Sequence, residues 1–268
     1  MTLLEWLEQT PNAQLVGECF AVRDDLTHAT ARLGERAHLL PISDDTLLNV
    51  SLGMALDGSL PVVEWPTANV SNIASWLKTI PANENHTVSM VIRVHVHQET
   101  GLDYDTLQHP LVEVWSVLSD SMRSDALARA QSHRKIVILL ESATSIAWHK
   151  LEGRSLTALT SSSDYRIEYA HCVIVSSNLH ADIVQSSIDT LAEDGIRIHW
   201  VEQHALSGFD DTALKAVFDV GRVVCVGLPI SWLSTLVAKA FWRLESEPTF
   251  CASNTPAIQQ AVYTSLES

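Results

Sequence analysis

The sequence predicts an α/β protein made of two three-layer domains, each built on a mostly parallel sheet. Three observations carry this expectation. Short apolar strands alternate with helices from about residue 14 to 141. The alternation stops at LEGRSLTALTSSSDY, residues 151–165, which is rich in Ser and Thr and holds three consecutive serines. It then restarts at residue 171 and runs nearly to the end. Strands separated by helices cannot pair as hairpins, so they assemble in parallel with helices over both faces. The Ser/Thr-rich break reads as an interdomain connection. The expected domains are residues 1–150 and 165–268.

In the first half, strands are expected at 14–17, 38–41, 60–65, 88–96, 111–117 and 136–141. Each is a short run dominated by Val, Ile and Leu, the composition of a strand buried on both faces. Helices fit at 25–34, 45–56, 70–78 and 120–131. The second of these is the most informative. Asp44 and Asp45 stand where a helix N-terminus stabilises negative charge. Leu47, Leu48, Val50, Leu52, Met54, Ala55 and Leu56 are apolar nearly all round, which predicts a helix enclosed on every side. Asp57-Gly58 closes it. In the second half, strands are expected at 171–176, 196–202 and 222–226. Helices fit at 181–193, 210–219 and 232–244, with a last helix from Pro256; Gly195 reads as a helix stop. No internal sequence repeat relates the two halves.

The chain has 268 residues and can bury a large core. Seventeen basic against 32 acidic residues give a formal charge of −15, which argues against nucleic acid and anionic membranes as partners. The four cysteines are widely spaced with no Cys-x-x-Cys, so a disulfide framework or zinc site has little support. Cys172 and Cys225 sit in apolar runs and read as buried, inert thiols. MTLLEWLEQT lacks the pattern of a signal peptide, and no apolar run approaches the roughly 20 residues needed to span a bilayer. A cytoplasmic location is expected.

The stretch PISDDTLLNVSLGMALDGSLPVVEW carries a resemblance. With Pro41, Ile42, Gly53, Gly58, Pro61 and Glu64 at matching spacing, it resembles the pyrimidine-binding domain of beta subunits of thiamine-diphosphate-dependent 2-oxo acid dehydrogenases, such as the pyruvate dehydrogenase decarboxylase component. The second half, with Gly195, Asp210, Gly221, Arg222 and Val223 in place, is similar to the transketolase C-terminal domain. The resemblance implies a transketolase-like pyrimidine-binding domain followed by a transketolase C-terminal-like domain. It also implies thiamine diphosphate as cofactor, with Mg2+ and diphosphate held mainly by an alpha-type partner subunit. A heterotetramer or a homodimer follows, acting as an oxidoreductase component on a small 2-oxo acid. No phosphate-binding loop of either common type occurs in this chain, in keeping with that division of labour.

Site residues follow from the resemblance position by position. Asp44 stands where the family has a glutamate that hydrogen-bonds the cofactor aminopyrimidine; it is shorter by one methylene, and Asp44 or Asp45 also reads as a helix N-cap. Asn69 is kept, but Val70 replaces the aromatic on which the pyrimidine stacks. Trp65, on the preceding strand, is a further cofactor candidate or a core aromatic. Glu18 matches an acidic position near the active site, or is an ordinary surface residue at a strand end. His97 and His109 are the nearest substitutes for a loop histidine missing from HVHQETGLDYDTLQHP, or are simply solvated. His95 and His97 share a strand face and could hold a metal, but no third ligand motif accompanies them. The expected function is a beta-type subunit that decarboxylates a 2-oxo acid or transfers a two-carbon unit. The alternative is a catalytically degenerate partner of the same fold.

Overall fold

The computed structural model describes residues 2–18, 20, 24–40, 43–65, 70–81, 88–96, 104–117, 120–142, 159–160, 170–203, 206, 211–252 and 254–267. The chain divides into two compact units, Met1–Thr144 and Ser145–Ser268. Pro41, Ile42, Asn69 and His97 lie outside the described residues.

The first unit opens with helix α1 (Leu3–Gln9), which the sequence reading did not anticipate. Thr2 accepts a hydrogen bond from the Glu5 amide while the Glu5 carboxylate accepts one from the Thr2 amide, a reciprocal cap that fixes the helix start. Then come β1 (Ala13–Gly17), α2 (Ala29–Leu33), β2 (Ala37–Leu39), α3 (Asp44–Leu56), β3 (Leu60–Trp65), α4 (Ser71–Leu77), β4 (Met90–Val96), β5 (Val112–Val117), α5 (Asp120–His133) and β6 (Ile136–Ser142). The helix expected over 25–34 is three shorter pieces: a 3-10 turn at Asp24–Leu26, α2, and a 3-10 turn at Gly34–Arg36. The strands form one sheet in the order β2-β1-β3-β4-β6-β5, and every neighbouring pair is parallel. In β3 every residue is buried, and in β4 all but His95, as strands covered on both faces require.

The second unit has β7 (Leu159–Thr160), β8 (Cys172–Ser177), α6 (Ala181–Glu193), β9 (Ile198–Gln203), α7 (Asp211–Val220), β10 (Val223–Val226), α8 (Ile230–Ala240), β11 (Thr249–Cys251) and α9 (Thr255–Glu267). Its sheet runs β11-β10-β8-β9-β7, parallel except where β7 pairs antiparallel with β9. Part of the segment read as a linker therefore supplies an edge strand: Leu159 lies opposite Trp200. Two residues flanked by Ser and Thr are too short a run to be legible as a strand. In α6, Ala181, Val184, Ile188 and Leu191 form the buried stripe at helical spacing. Gly195 adopts φ +77° just beyond α6, the left-handed stop expected of it. Both sheets are flanked by helices, so the three-layer α/β architecture is as the sequence predicts.

One expectation fails in α3. Leu47, Leu48, Ser51 and Ala55 are buried, but Val50 is 40% and Leu56 62% exposed. The helix packs one face on the sheet, and within its own unit nothing among the described residues covers the other. Uniform apolarity does not distinguish a helix buried by its own domain from one whose outer face is left apolar.

Gly17, at the end of β1, is held by a close approach. A Cβ there would stand 2.8 Å from a Phe20 ring carbon and 3.1 Å from the Glu64 Cβ. Gly17→Ala should destabilise the protein by about 1–3 kcal/mol through overpacking, read as a lower urea midpoint at unchanged m-value. An unchanged midpoint would mean that Phe20 swings aside freely.

Candidate functional site

In a parallel sheet every crossover helix starts at the carboxyl edge of the sheet. Helices α3 and α4 follow β2 and β3, so both N-termini lie at that edge of the first unit. Between them is a cleft of about 710 Å³. Ser43, Asp44, Asp45 and Asn49 line it from α3; Asn72, Ser75, Trp76 and Thr79 line it from α4 and the turn after it.

The side chains of this cleft hold one another. Ser43, not either aspartate, is the N-cap: its hydroxyl oxygen accepts from the Thr46 amide at 3.4 Å. That frees Asp44, the first helical residue, for another partner, and its carboxylate accepts a hydrogen bond from the Asn72 side-chain amide. Deeper in, the Trp76 indole N–H donates to Asn49 Oδ1 at 3.1 Å, and the Thr79 hydroxyl donates to the Trp76 carbonyl at 2.7 Å. The result is an oriented carboxylate at a helix N-terminus, faced by amides and hydroxyls. It can accept a hydrogen bond from a ring nitrogen or exchange a proton with it.

Among the described residues, the other sequence candidates do not line this cleft. Glu18 is half-buried immediately after β1, and Trp65 is fully buried at the end of β3. Val70 is buried at the start of α4, where it provides no side-chain cap. His109 is held by backbone: its Nε2 lies 3.3 Å from the Ile80 carbonyl, and its Nδ1 accepts from the Leu111 amide at 3.2 Å. These contacts suit Nε2–H as donor and Nδ1 as acceptor, and they engage both nitrogens. His95 does not reach toward a metal cluster, and no group of three or more His, Cys, Asp or Glu suited to a metal occurs among the described residues. Its Nε2 meets Glu64 Oε1 at 2.8 Å instead.

That contact belongs to a buried ion network the sequence reading missed. Arg93, on β4, is 3% exposed. It donates from Nε and Nη2 to Glu141 Oε2 at 2.8 and 2.7 Å, from Nη1 to Glu64 Oε2 at 3.2 Å, and from Nη2 to Asp25 Oδ2 at 2.7 Å. Arg123, on α5, donates from Nε to Glu141 Oε1 at 2.7 Å. Burial by itself would raise the Glu141 pKa, but the Arg93 and Arg123 guanidiniums outweigh it and hold the carboxyl at about 2. The same carboxylates keep Arg93 more firmly protonated than an ordinary arginine, against the effect of its burial. The network ties the ends of β3, β4 and β6 to α5 and to the turn at Asp24–Leu26. An Arg inside VIRVHV and a Glu ending VILLE were the available signals, since a charge within a fully buried strand needs a partner.

No protein-family model matches the chain, and no curated protein matches it in sequence. Solved structures do match in fold. The chain is similar to a split-gene transketolase described as an inactive beta4 tetramer, with TM-score 0.71 and 14% identity over 99% of this chain and 95% of that one. It is also similar to the 2-oxoglutarate:ferredoxin oxidoreductase from Magnetococcus marinus, solved with 2-oxoglutarate, coenzyme A and succinyl-CoA bound, with TM-score 0.64 and 10% identity. There the match covers 99% of this chain but 64% of the other. The architecture is thus a transketolase-like α/β fold. No helix among the described residues is long and apolar enough to cross a membrane.

The ion network gives stability a defined acid limit. Glu141 titrates at about 2 folded against 4.5 for the free group. Its contribution is therefore complete above pH 4.5 and disappears as pH falls toward 2. Glu141→Gln should destabilise the protein by about 3–5 kcal/mol at neutral pH, because it leaves two buried guanidiniums short of charge. It should also flatten the fall in stability across that window, measured by urea unfolding at several pH values. An unaltered pH dependence in the variant would mean that other carboxylates set the acid limit.

Proposed function

We propose that this chain is a beta-type subunit of a thiamine-diphosphate-dependent enzyme, with its active site completed by an alpha-type subunit. The observation that carries the reading is the Asp44 carboxylate, held by Asn72 at the carboxyl edge of a transketolase-like sheet. The first unit acts as the pyrimidine-binding domain and the second as the C-terminal domain. Asp44 takes the aminopyrimidine ring nitrogen, and the amides and hydroxyls of the cleft orient the ring edge. When bound, the cofactor supplies a nucleophilic carbon for cleavage next to a carbonyl, which suits decarboxylation of a 2-oxo acid or transfer of a two-carbon unit. Diphosphate and Mg2+ fall to the partner subunit. Asn69 and His97 remain candidates on the resemblance, as do Glu18, Trp65 and His109. The apolar outer face of α3 at Val50 and Leu56 gives a partner something to cover.

A second reading rests on Val70. A buried aliphatic side chain at the start of α4 offers the pyrimidine no ring face, and Asp44 has a shorter reach than glutamate. Both suit a catalytically degenerate subunit that keeps the fold and the assembly.

Asp44 separates the two readings. With partner and cofactor present, Asp44→Asn should lower turnover about 100-fold or more if the carboxylate handles a proton, with the melting temperature nearly unchanged because Ser43 provides the cap. Asp44→Glu should retain activity or raise it. Equal turnover in the wild type and the Asn variant would remove Asp44 from catalysis. The assembly has its own test: light scattering should give a mass above that of the single chain, through an interface larger than the roughly 1,600 Å² of standard complexes. A monomer both alone and with the partner would end the proposal of association.

A further inference from the structure

The second sheet has its own topological switch point. Strand β8 has β9 on one side and β10 on the other, and the chain visits β9 before crossing back to β10. The point where strand order reverses therefore lies between the carboxyl ends of β8 and β10. In open α/β sheets this is where the crossover helices diverge and leave a crevice for ligands. Ser176 pairs laterally with Val226, which brings Ser177 alongside Gly227. Helix α6 starts four residues beyond Ser177, and α8 three residues beyond Gly227. Two helix N-termini, of 13 and 11 residues, thus open at the same place, each with the positive end of its dipole toward it; a 3-10 turn at Asn178–His180 leads into α6.

Two side chains at this point are buried without a partner. Ser177 is fully buried, and its hydroxyl oxygen has no hydrogen-bond partner. His180, the residue preceding α6, is 9% exposed, and its Nδ1 likewise has none. The neighbouring Ser176, by contrast, accepts from the Trp200 indole N–H at 2.8 Å. A buried polar group left unmade costs about 1–3 kcal/mol, so two at one spot call for a reason. Gly227 supplies a further sign of fit. It adopts φ +60°, and a Cβ there would stand 2.0 Å from a His180 ring carbon and 2.3 Å from Nε2. The Cδ2–Nε2 edge of the imidazole packs against this bare backbone.

We propose that the crevice between β8 and β10 is a binding site for a small anion, a carboxylate or phosphate group, held by the Ser177 hydroxyl, the His180 ring and the first amides of α6. It belongs to the second unit and does not depend on the reading given to the Asp44 cleft. The Ser177 hydroxyl and the helix amides donate to the anion oxygens, and the His180 Nδ1–H tautomer adds a third donor. The His180 ring turns from Gly227 to meet the ligand, which satisfies both orphaned groups together.

The test uses the full chain labelled with 15N-histidine, titrated with inorganic phosphate and, separately, with acetate, each against chloride at matched ionic strength. The His180 ring signals are assigned by their loss in His180→Gln. Phosphate or acetate should shift those signals saturably, and whichever anion acts names the group recognised. Ser177→Ala, a small change at a buried site, should weaken the binding at least 10-fold while the fold stays intact by circular dichroism. No saturable shift with either anion would overturn the proposal. So would shifts of equal midpoint in the wild type and Ser177→Ala. If Ser177→Ala proves unfolded, Ser177→Cys takes its place with the same expected loss of affinity.

Discussion

Parallel strand pairing is the constraint on which the rest of this structure depends. A parallel pair cannot be closed by a short turn, so the chain must cross the sheet between strands, and here it does so through helices. Every such helix begins where a strand ended. The carboxyl edge of each sheet thus collects helix N-termini, with unsatisfied amides and positive dipole ends. Asp44 at the start of α3, and Ser177 and His180 before α6, owe their positions to that rule rather than to any local motif. The opposite edges collect the helix C-termini instead, with open carbonyls and negative dipole ends.

The same constraint explains why charges occur inside the first sheet. Strands covered on both faces leave no room for solvent, so Arg93 and Glu141 on adjacent strands meet in a medium where desolvation is severe. Geometry decides the balance: Glu141 takes Arg93 on one oxygen and Arg123 on the other, each within 2.8 Å. That arrangement more than offsets burial, as the low Glu141 pKa records. Asp25 is the member nearest water, at 30% exposure. The network therefore runs from the interior to the surface and fixes the turn at Asp24–Leu26 across the strand ends. Buried thiols show the opposite case, with too little compensating charge: burial pushes Cys172 up to about 12 despite Arg222, and Cys225 higher still. They are inert packing groups, as their apolar runs suggest.

Alternation of strand and helix was legible because it is written in hydrophobic period, and β3, α3 and α6 fall within a residue of their expected bounds. Elements that depend on caps or on pairing were not. Helix α1 is short and is set by the Thr2–Glu5 reciprocal cap, while β7 and β11 are two and three residues whose identity lies in the neighbour they pair with. The site was legible at Asp44, because acidic residues at a helix start leave a sequence signal. Asn72 left none, being 28 positions away in sequence. The misjudged surroundings of α3 have a similar origin. Composition states that a helix face is apolar, not which body covers it.

The two crevices differ in chemistry more than in topology. The first presents carboxylates, Asp44 and Asp45, opposite amides and hydroxyls, and so suits a ligand edge that donates or carries a proton. The second presents a hydroxyl, an imidazole and two helix N-termini, with an exposed Asp182 in the first turn of α6. Burial lowers the His180 pKa, so the ring is neutral at physiological pH. A protein with formal charge −15 repels anions at long range. Long-range repulsion is screened within about a Debye length, roughly 8 Å at physiological salt, whereas amide dipoles act at hydrogen-bond distance. Oriented neutral donors that converge out of water can therefore hold an anion even in an acidic protein. Among the positions described, the ends of β8 and β10 offer that arrangement, because reversing strand order starts two diverging helices from neighbouring strand ends.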